Sequence, residues 1–349
     1  MKTALKIVVL GALLFAALAV AAQGIAPLTP GPHDALATAG PQAERIGRLW
    51  DLFMLVCGGV FAAVFLVFLV AVVRAPRADA RTPADLSMLD RREPGPYRGV
   101  VVGVALSTLL LFVLLLASVW TDRALARMAL VDAVHLEVTG HQWWWEVRYD
   151  AERQSDAFVT ANELHVPVGR PVIVTLHADD VIHSLWVPSL AGKKDLIPGR
   201  TSLMQFRADR PGIYRGQCAE FCGYQHAYMA FEVIADPPEQ YAAWLARQRA
   251  EAPEPADAAL KRGRDVFLRS TCVMCHAVQG TSANAQKAPD LTHVGGRTTL
   301  AAGTLTNDRE AMRRWIRDPQ KIKPGVNMPA STLADADLDA LVGWLESLR

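Results

Sequence analysis

Two long apolar stretches dominate the pattern of hydrophobic and polar positions along the chain. Residues 52–73 and 99–120 contain no charged side chain, and about 20 apolar residues in a helix cross a bilayer. Arginines lie between and beside them, at positions 74, 77, 81, 91, 92 and 98. Because basic residues concentrate in cytoplasmic loops, we predict a two-helix transmembrane hairpin with its loop in the cytoplasm and both chain ends outside.

A further apolar run lies at the N-terminus. Lys2 and Lys6 precede apolar residues 7–20, and the small residues Ala19 and Ala21 flank the end of this run. The pattern predicts a secretory signal over residues 1–22, with an uncleaved membrane helix as the alternative. Residues 23–123 would then hold an irregular lead-in and the hairpin.

From about residue 124 the pattern changes to the alternation typical of β-strands. Apolar side chains recur at every second position in the runs 134–138 and 172–176, and Gly and Pro turns separate such runs. We therefore predict an all-β sandwich or barrel over residues 124–236. A rigid β scaffold of this kind can hold functional side chains on its loops.

The last third of the chain has helical periodicity. Helices are predicted over Asp257–Ser270, Asn307–Arg317 and Asp335–Leu348, which together indicate a small all-α domain at 258–349. Residues 237–257 connect it to the β region. The proline-containing spacer Glu251–Ala259 would span about 25–30 Å if extended, which predicts a domain free to swing.

Composition narrows the function classes. A chain of 349 residues is long enough for more than one domain. Its net charge of +1 gives no sign of a nucleic-acid-binding surface, and 51% hydrophobic with 20% charged residues is typical of a membrane component. Four of the five cysteines form two close pairs, whereas Cys57 lies alone in the first apolar stretch.

The first cysteine pair lies in a segment rich in metal-ligand side chains. Cys218, Cys222, His226 and Met229 fall within twelve residues. Thiolate, imidazole and thioether together suit copper, because thioether is a poor zinc ligand. Two bridging thiolates could hold two coppers if a second imidazole came from elsewhere, and His183 ends a β-like run upstream. A Cys218–Cys222 disulfide is the alternative.

The second pair belongs to the motif Cys272-Val-Met-Cys275-His276. This spacing is the covalent attachment signal for haem c, in which both sulfurs form thioethers and the histidine becomes an iron ligand. A redox-active dithiol is the alternative interpretation of the two cysteines.

The copper segment, together with the upstream His183-Ser-Leu-Trp-Val-Pro, resembles the dinuclear copper (CuA) centre of cytochrome c oxidase subunit II. The resemblance implies a cupredoxin-like fold in which Cys218 and Cys222 bridge two coppers. It also implies that the other ligands are His183, His226, Met229 and the backbone carbonyl of Glu220.

The segment Gly140-His-Gln-Trp-Trp-Trp145 resembles a further motif of that family. There the first tryptophan lies where electrons enter, which corresponds to Trp143. Core or interface packing is the alternative role of these indoles, and three adjacent side chains cannot all face one side of a strand.

The C-terminal domain resembles a class I cytochrome c. Lys323-Pro-Gly-Val-Asn-Met328 is similar to the loop that carries the distal methionine, which implies Met328 as the second axial haem ligand. Met312 and His293 are the competing candidates. The whole chain then resembles subunit II of a caa3-type haem–copper oxidase, a multidomain membrane protein.

This resemblance implies a place in an enzyme complex. Electrons would pass from cytochrome c or another extracytoplasmic donor to haem c, then to the copper centre, and finally to subunit I, which reduces oxygen. Subunits I and III and membrane lipid are the implied partners, at the bacterial inner membrane. The alternatives are the electron-entry subunit of a nitric oxide reductase and a stand-alone membrane-anchored electron carrier.

Two details concern ions and protons. In the family, the carboxylate corresponding to Glu220 binds magnesium at the boundary with subunit I, and Asp195 lies in a segment that resembles part of the same region.

The family's second membrane helix opens with a glutamate that helps to admit protons, but residues 97–102 carry no acid. Only Glu93 is near, so proton uptake through this subunit is not predicted.

Overall fold

The computed structural model describes residues 34–75, 83, 94–150 and 156–349. The predicted signal at 1–22, Glu93 and four of the loop arginines (77, 81, 91 and 92) lie outside the described residues. The chain separates into two compact units, one containing residues 45–128 and the other containing residues 32–44 and 129–349.

Among the described residues, two helices are long and apolar enough to cross a membrane. They are Pro41–Arg74 (α1) and Pro94–Ala126 (α2), each with an 18-residue window of mean hydropathy 2.9. Both are longer than the predicted spans, because α1 already begins at Pro41, well before residue 52, and α2 extends past residues 99–120 at both ends. Almost none of the side chains in these windows is buried, as expected of a surface that lipid covers.

The β region is a sandwich of two five-stranded sheets. Its ten strands, numbered β1 to β10 in chain order, are Val134–His141, Trp144–Tyr149, Phe158–Ala161, Glu163–Pro167, Val172–Ala178, His183–Trp186, Lys194–Leu196, Ser202–Phe206, Gly212–Cys218 and Ala230–Asp236. One sheet has the order β3-β2-β1-β5-β8 and the other β4-β10-β9-β6-β7.

The sandwich core follows from the predicted alternation. Leu136, Val138, Val172 and Val174 are all at most 1% exposed, because β1 and β5 pair in parallel and turn the same positions inward. The all-β, cupredoxin-like fold class is therefore confirmed.

Helix α3 (Pro238–Gln248) leaves the sandwich and packs back against it. Its Tyr241 and Trp244 join the sandwich core, and the indole of Trp244 stacks on the His165 ring with a centroid distance of 4.1 Å. His165 also contacts Asp236 at 2.7 Å. His165 therefore helps to hold α3 against the sandwich.

The C-terminal domain has its own helical core. Its helices are α4 (Ala258–Arg269), α5 (Arg309–Arg317) and α6 (Asp335–Ser347), which agree with the predicted helices to within two residues. Asp257 caps α4 and Asp308 caps α5 through their carboxylates. A β-hairpin, Thr299–Leu300 (β11) and Leu305–Thr306 (β12), precedes α5. The predicted all-α cytochrome c fold class is confirmed.

Helices α4 and α6 approach each other closely at Gly263. A Cβ added at this position would lie 2.1 Å from the carbonyl oxygen of Ala340. Glycine is therefore required for this crossing, which places Phe267 against Trp344 with ring centroids 5.2 Å apart.

The prediction of an extended spacer that lets the C-terminal domain swing is wrong. The amide of Ala252 donates to Gln279 O at 3.0 Å, and Glu254 pairs with Arg264 at 2.6 Å. Because Ala252 also packs against the helical core, the spacer lies on the domain rather than in solvent. The domain itself contacts the sandwich, as described below.

Candidate metal centres

Two buried thiols lie at one end of the sandwich. Cys218 is the last residue of β9, Cys222 follows in the next turn, and both are at most 3% exposed. Both cysteines are free, with their Sγ atoms 3.7 Å apart. The two sulfurs therefore face a common centre and do not form a disulfide in this structure.

Each thiol has its own imidazole. His183 Nδ1 is 3.9 Å from Cys218 Sγ, and His226 Nδ1 is 3.7 Å from Cys222 Sγ. The thioether of Met229 lies 3.8 Å from Cys222 Sγ. On the opposite side, Cys218 Sγ lies 3.2 Å from the carbonyl oxygen of Glu220.

Sheet register explains how a distant histidine reaches this cluster. Strand β6 begins at His183 and pairs with β9, so that Leu185 lies opposite Cys218. The Cys218 amide donates to Met229 O at 2.9 Å, which closes the loop between β9 and β10. Gly140 leaves room for the imidazole, because a Cβ there would lie 2.8 Å from His183 Cδ2.

Asp180 orients the His183 ring. Its Oδ1 lies 2.8 Å from His183 Nε2, so Nδ1 is left facing the thiols. A carboxylate on the second ring nitrogen is the usual support of a metal-bound histidine. Sequence analysis missed Asp180, although an acid three residues before a candidate ligand was a usable signal.

Without a metal, His183, Cys218, Cys222 and Asp180 shift one another's pKa values. Burial alone would lower the pKa of His183, but hydrogen bonds to Cys218 and Asp180 outweigh it and raise that pKa. A hydrogen bond from Cys222 lowers the pKa of Cys218 to about 3. The same contact raises the pKa of Cys222. The site therefore favours one thiolate even before a metal replaces the remaining proton.

The donor set fits copper. His183, Cys218 and Cys222 present ligand atoms that all lie within 4.8 Å of one another, and the sulfur of Met229 is adjacent. Two soft thiolates with imidazoles and a weak thioether match copper better than zinc, calcium or magnesium.

Trp143 is hydrogen-bonded to the loop that carries Cys222. Its indole Nε1 donates to the carbonyl oxygen of Cys222 at 2.9 Å, and Gln142 Nε2 donates to the same oxygen at 2.8 Å. The Trp143 side chain is buried, with 8% exposed. Trp145 is fully buried in the core, while Trp144 is half-buried and stacks on His141.

The residues of the haem motif lie on a short turn in the C-terminal domain. Cys272 is within a single 3-10 turn, Thr271–Met274, directly after α4, and Cys275 ends that turn. The ring of His276 has Nδ1 2.7 Å from the carbonyl oxygen of Pro289. Burial lowers the pKa of His276, so a neutral imidazole is held with Nε2 available, which is the form that binds iron.

The three candidates for the second axial ligand have different surroundings. Met312 lies in the helical core and is 2% exposed, and His293 Nε2 is 3.1 Å from the carbonyl oxygen of Ala250. Met328 packs at the edge of the same core, and its carbonyl oxygen accepts a hydrogen bond from Gln320 Nε2 at 3.0 Å. Of the three, Met328 is the one whose side chain is neither enclosed in the core nor hydrogen-bonded to a carbonyl.

The residues discussed for magnesium lie beside the copper loop. Glu220 is exposed, so its carboxylate is free to point away from the thiols. Asp195 Oδ1 accepts a hydrogen bond from Ser184 Oγ at 2.8 Å. The magnesium site at Glu220 stays a prediction.

Family models match both extramembrane regions. Residues 150–235 match the periplasmic domain of cytochrome c oxidase subunit II, and residues 260–349 match cytochrome c. The first match contains the thiol cluster, and the second contains the haem motif and Met328.

Individual proteins show the same likeness over longer stretches. Cytochrome c oxidase subunit 2 of Alkalihalophilus pseudofirmus is 36% identical over 321 residues, which cover 90% of both chains. The protein of the same name from Bacillus sp. strain PS3 is 30% identical and covers 77% of this chain and 79% of its own. Among solved structures, the periplasmic domain of subunit II from Bradyrhizobium japonicum is 29% identical, with a TM-score of 0.31, over 33% of this chain and 93% of its own.

Proposed function

Because the chain belongs to the cytochrome c oxidase subunit II family and ends in a cytochrome c domain, we propose that it is the electron-entry subunit of a caa3-type haem–copper oxidase. It would accept electrons on haem c and pass them through a dinuclear copper centre to subunit I. The chain is thus part of an oxidase, while oxygen reduction takes place in the partner.

The observation that carries the copper proposal is the paired arrangement of thiols and imidazoles. Cys218 and Cys222 are 3.7 Å apart, and each has one Nδ1 within 3.9 Å. Two coppers that share both thiolates would each gain one histidine. Met229 on one side and the Glu220 carbonyl on the other would supply the weak ligands.

The haem proposal rests on the attachment motif and the oriented histidine. Cys272 and Cys275 would form the two thioether bonds, with His276 as one axial ligand and Met328 as the other. Haem and copper supply the one-electron chemistry, and the residues described here hold both groups in place. Trp143 would receive electrons for the copper centre through its bond to Cys222 O.

The placement in the cell follows from the two apolar helices and the family of the sandwich domain. The chain is membrane-anchored with extracytoplasmic domains. We propose a multi-pass arrangement in the bacterial inner membrane, with subunit I and subunit III as neighbours and cytochrome c or a similar protein as donor. Glu220 would supply a magnesium ligand at the boundary with subunit I.

Cysteine substitution tests the copper proposal. Purified wild-type complex should contain two coppers per copy of this chain, with an EPR signal from one unpaired electron shared by both. Cys222→Ser should remove this signal, because a serine hydroxyl cannot bridge as a thiolate does. Cys57→Ser, at the cysteine that belongs to neither pair, should leave copper content and signal unchanged. One copper per chain with a localised signal would overturn the dinuclear assignment.

A further inference from the structure

The cytochrome c domain is docked on the copper domain through a loop of four residues, 323–326, named the latch loop here. We propose that Lys323 is the positioning residue of this docking. It holds the latch loop over Trp143, so that the fused cytochrome domain covers the indole that would receive electrons. The proposal rests on the function given above and adds to it a residue and an interface.

Lys323 is almost completely buried between the two domains. It is 1% exposed, and its Nζ donates to Trp143 O at 3.0 Å, Tyr228 O at 2.9 Å and Ala301 O at 3.0 Å. An ammonium group has three N–H donors, and these three carbonyls use all of them. Two of the carbonyls belong to the copper domain and one to the hairpin β11–β12, so one side chain joins three segments.

Burying the ammonium group of a lysine in this way is unfavourable in free energy, because the charge loses its hydration. Desolvation by burial lowers the pKa of Lys323 to about 7, whereas a lysine that only solubilises the surface keeps its ammonium group in water. The hydrogen bond to Ala301 lies within the cytochrome domain and could serve that domain's own fold. The other two cross to the copper domain, which the stability of the cytochrome domain alone does not require.

The rest of the latch loop also contacts the copper domain. Gln225 Nε2 donates to Pro324 O at 2.6 Å, and Val326 packs against the sandwich core. The backbone of Gly325, with a φ of +88°, lies so near Trp143 that an added Cβ would be 3.9 Å from the indole ring. The loop therefore lies directly on Trp143 and beside the copper ligand loop.

A second contact region fixes the orientation of the domain. Thr298 donates to Glu163 Oε1 from its backbone amide at 2.6 Å and from its hydroxyl at 2.7 Å. The Ala230 amide donates to Ala302 O at 3.0 Å. Two separate regions of contact prevent rotation about either one, so the cytochrome domain has a defined orientation on the sandwich.

The docking joins the proposed haem ligand to the electron-entry residue. Val326 is two residues before Met328, so the segment that would carry the axial sulfur is continuous with the loop over Trp143. With the latch loop in this position Trp143 is only 8% exposed, so a separate donor protein has no open indole face to contact. With haem held by the cytochrome domain and copper by the sandwich, one electron would pass from the first group to the second, which would oxidise one and reduce the other without making or breaking a bond.

The test is Lys323→Met in the intact complex, with hydrogen exchange as a readout that does not depend on electron transfer. Methionine preserves the length and removes all three donors, which leaves the carbonyls without their partner. The amides of Ala230 and Thr298 donate across the interface, and we expect them to exchange at least about tenfold faster than in wild type. Lys321→Met is the matched control, since Lys321 lies two residues away with its side chain 85% exposed.

The second readout is electron transfer from haem to copper after rapid reduction of the haem. In Lys323→Met this step should slow at least about tenfold, while both reduction potentials and the haem and copper contents stay at wild-type values. Direct reduction of copper by free cytochrome c should become faster, because Trp143 is uncovered. Lys321→Met should match wild type in all of these measurements.

The possible results separate the hypotheses. Unchanged exchange, or faster exchange with unchanged transfer, overturns the positioning role of Lys323. If Lys323→Met fails to retain haem, Gln225→Ala removes the bond to Pro324 from the copper side, and the same two readouts apply to it. Wild-type exchange and transfer in Gln225→Ala would then overturn the proposal. Absence of any haem-to-copper transfer in the wild type would contradict the proposed function, whatever the exchange shows.

Discussion

The copper site and the haem site are built by opposite routes along the chain. The copper cluster joins His183 to a loop that starts 35 residues later, and pairing of β6 with β9 brings them together. The haem motif places both thiols and the histidine within five consecutive residues. Long-range sheet register therefore positions one centre, whereas local covalent attachment positions the other.

This difference explains what supports each centre. The proposed copper ligands lie at strand ends and in the loop between β9 and β10, which hydrogen bonds such as Cys218 N to Met229 O hold in place, so the protein alone arranges them. Of the side chains proposed to hold haem, His276 has its ring fixed by a hydrogen bond to Pro289 O. The copper site should therefore depend on the sandwich alone, and the haem site on its attached cofactor as well.

Removing residues 258–349 is the strongest way to test this independence. The proposed copper ligands all lie between residues 183 and 229, so we expect the truncated complex to keep its copper content and EPR signal. Turnover with the native donor should fall and should depend steeply on added cytochrome c, because a tethered domain acts at about millimolar effective concentration. Metal analysis and oxygen-uptake rates measure the two effects. Truncated complex that turns over as fast as the full chain would show that the haem domain is dispensable.

The Asp180→Asn variant tests the support of the copper site with a smaller expected effect. Asparagine keeps the shape and removes the charge that faces His183 Nε2 at 2.8 Å. Loss of such a carboxylate lowers metal affinity by about 10–100-fold, which competition with a copper chelator can measure. Asp179→Asn, at the neighbouring exposed carboxylate that pairs with His141, is the control. Equal chelator resistance in both variants would contradict the role of Asp180.

Much of the fold was predictable because the strands and helices follow from the spacing of apolar side chains along the chain. Alternating apolar residues predicted the strands, and helical periodicity predicted α4, which Asp257 caps in the structure. The haem motif needed only local spacing. Assignment of His183 needed a resemblance to a known family, because no local pattern shows that β6 pairs with β9.

The docking of the two domains could not be predicted in the same way. Lys323 binds carbonyl oxygens that lie 180, 95 and 22 residues away in the chain, and every residue has a carbonyl, so its partners leave no mark in the sequence. The proline-containing spacer indicated an extended linker. The packing of Ala252 on the helical core gives it a different conformation.

The Gly263→Ala variant sharpens the comparison from the side of the haem domain. The added methyl would lie 2.1 Å from Ala340 O, so α4 and α6 must separate. We expect the free energy of unfolding of this domain to fall by about 1–3 kcal/mol, measured by thermal melting at the haem absorbance, while copper content is unchanged. Gly343→Ala on α6 is the control, because an added Cβ there meets only the end of the Arg309 side chain, at 3.6 Å. A neutral or slightly raised stability is expected for it, since alanine favours a helix over glycine by about 1 kcal/mol.

The smallest effect is expected for Met229→Leu. The Met229 sulfur lies 3.8 Å from Cys222 Sγ, while the bridging thiols and both histidines are untouched by the change. Leucine preserves the volume of this fully buried side chain, so the loop should keep its conformation. A weak axial ligand adjusts the potential more than the affinity, and we therefore expect full copper content with a shifted reduction potential in a redox titration. The haem potential, in the other domain, should not move. Loss of copper from this variant would show that Met229 is needed to hold the metal, and an unshifted potential would show that its sulfur is not a ligand.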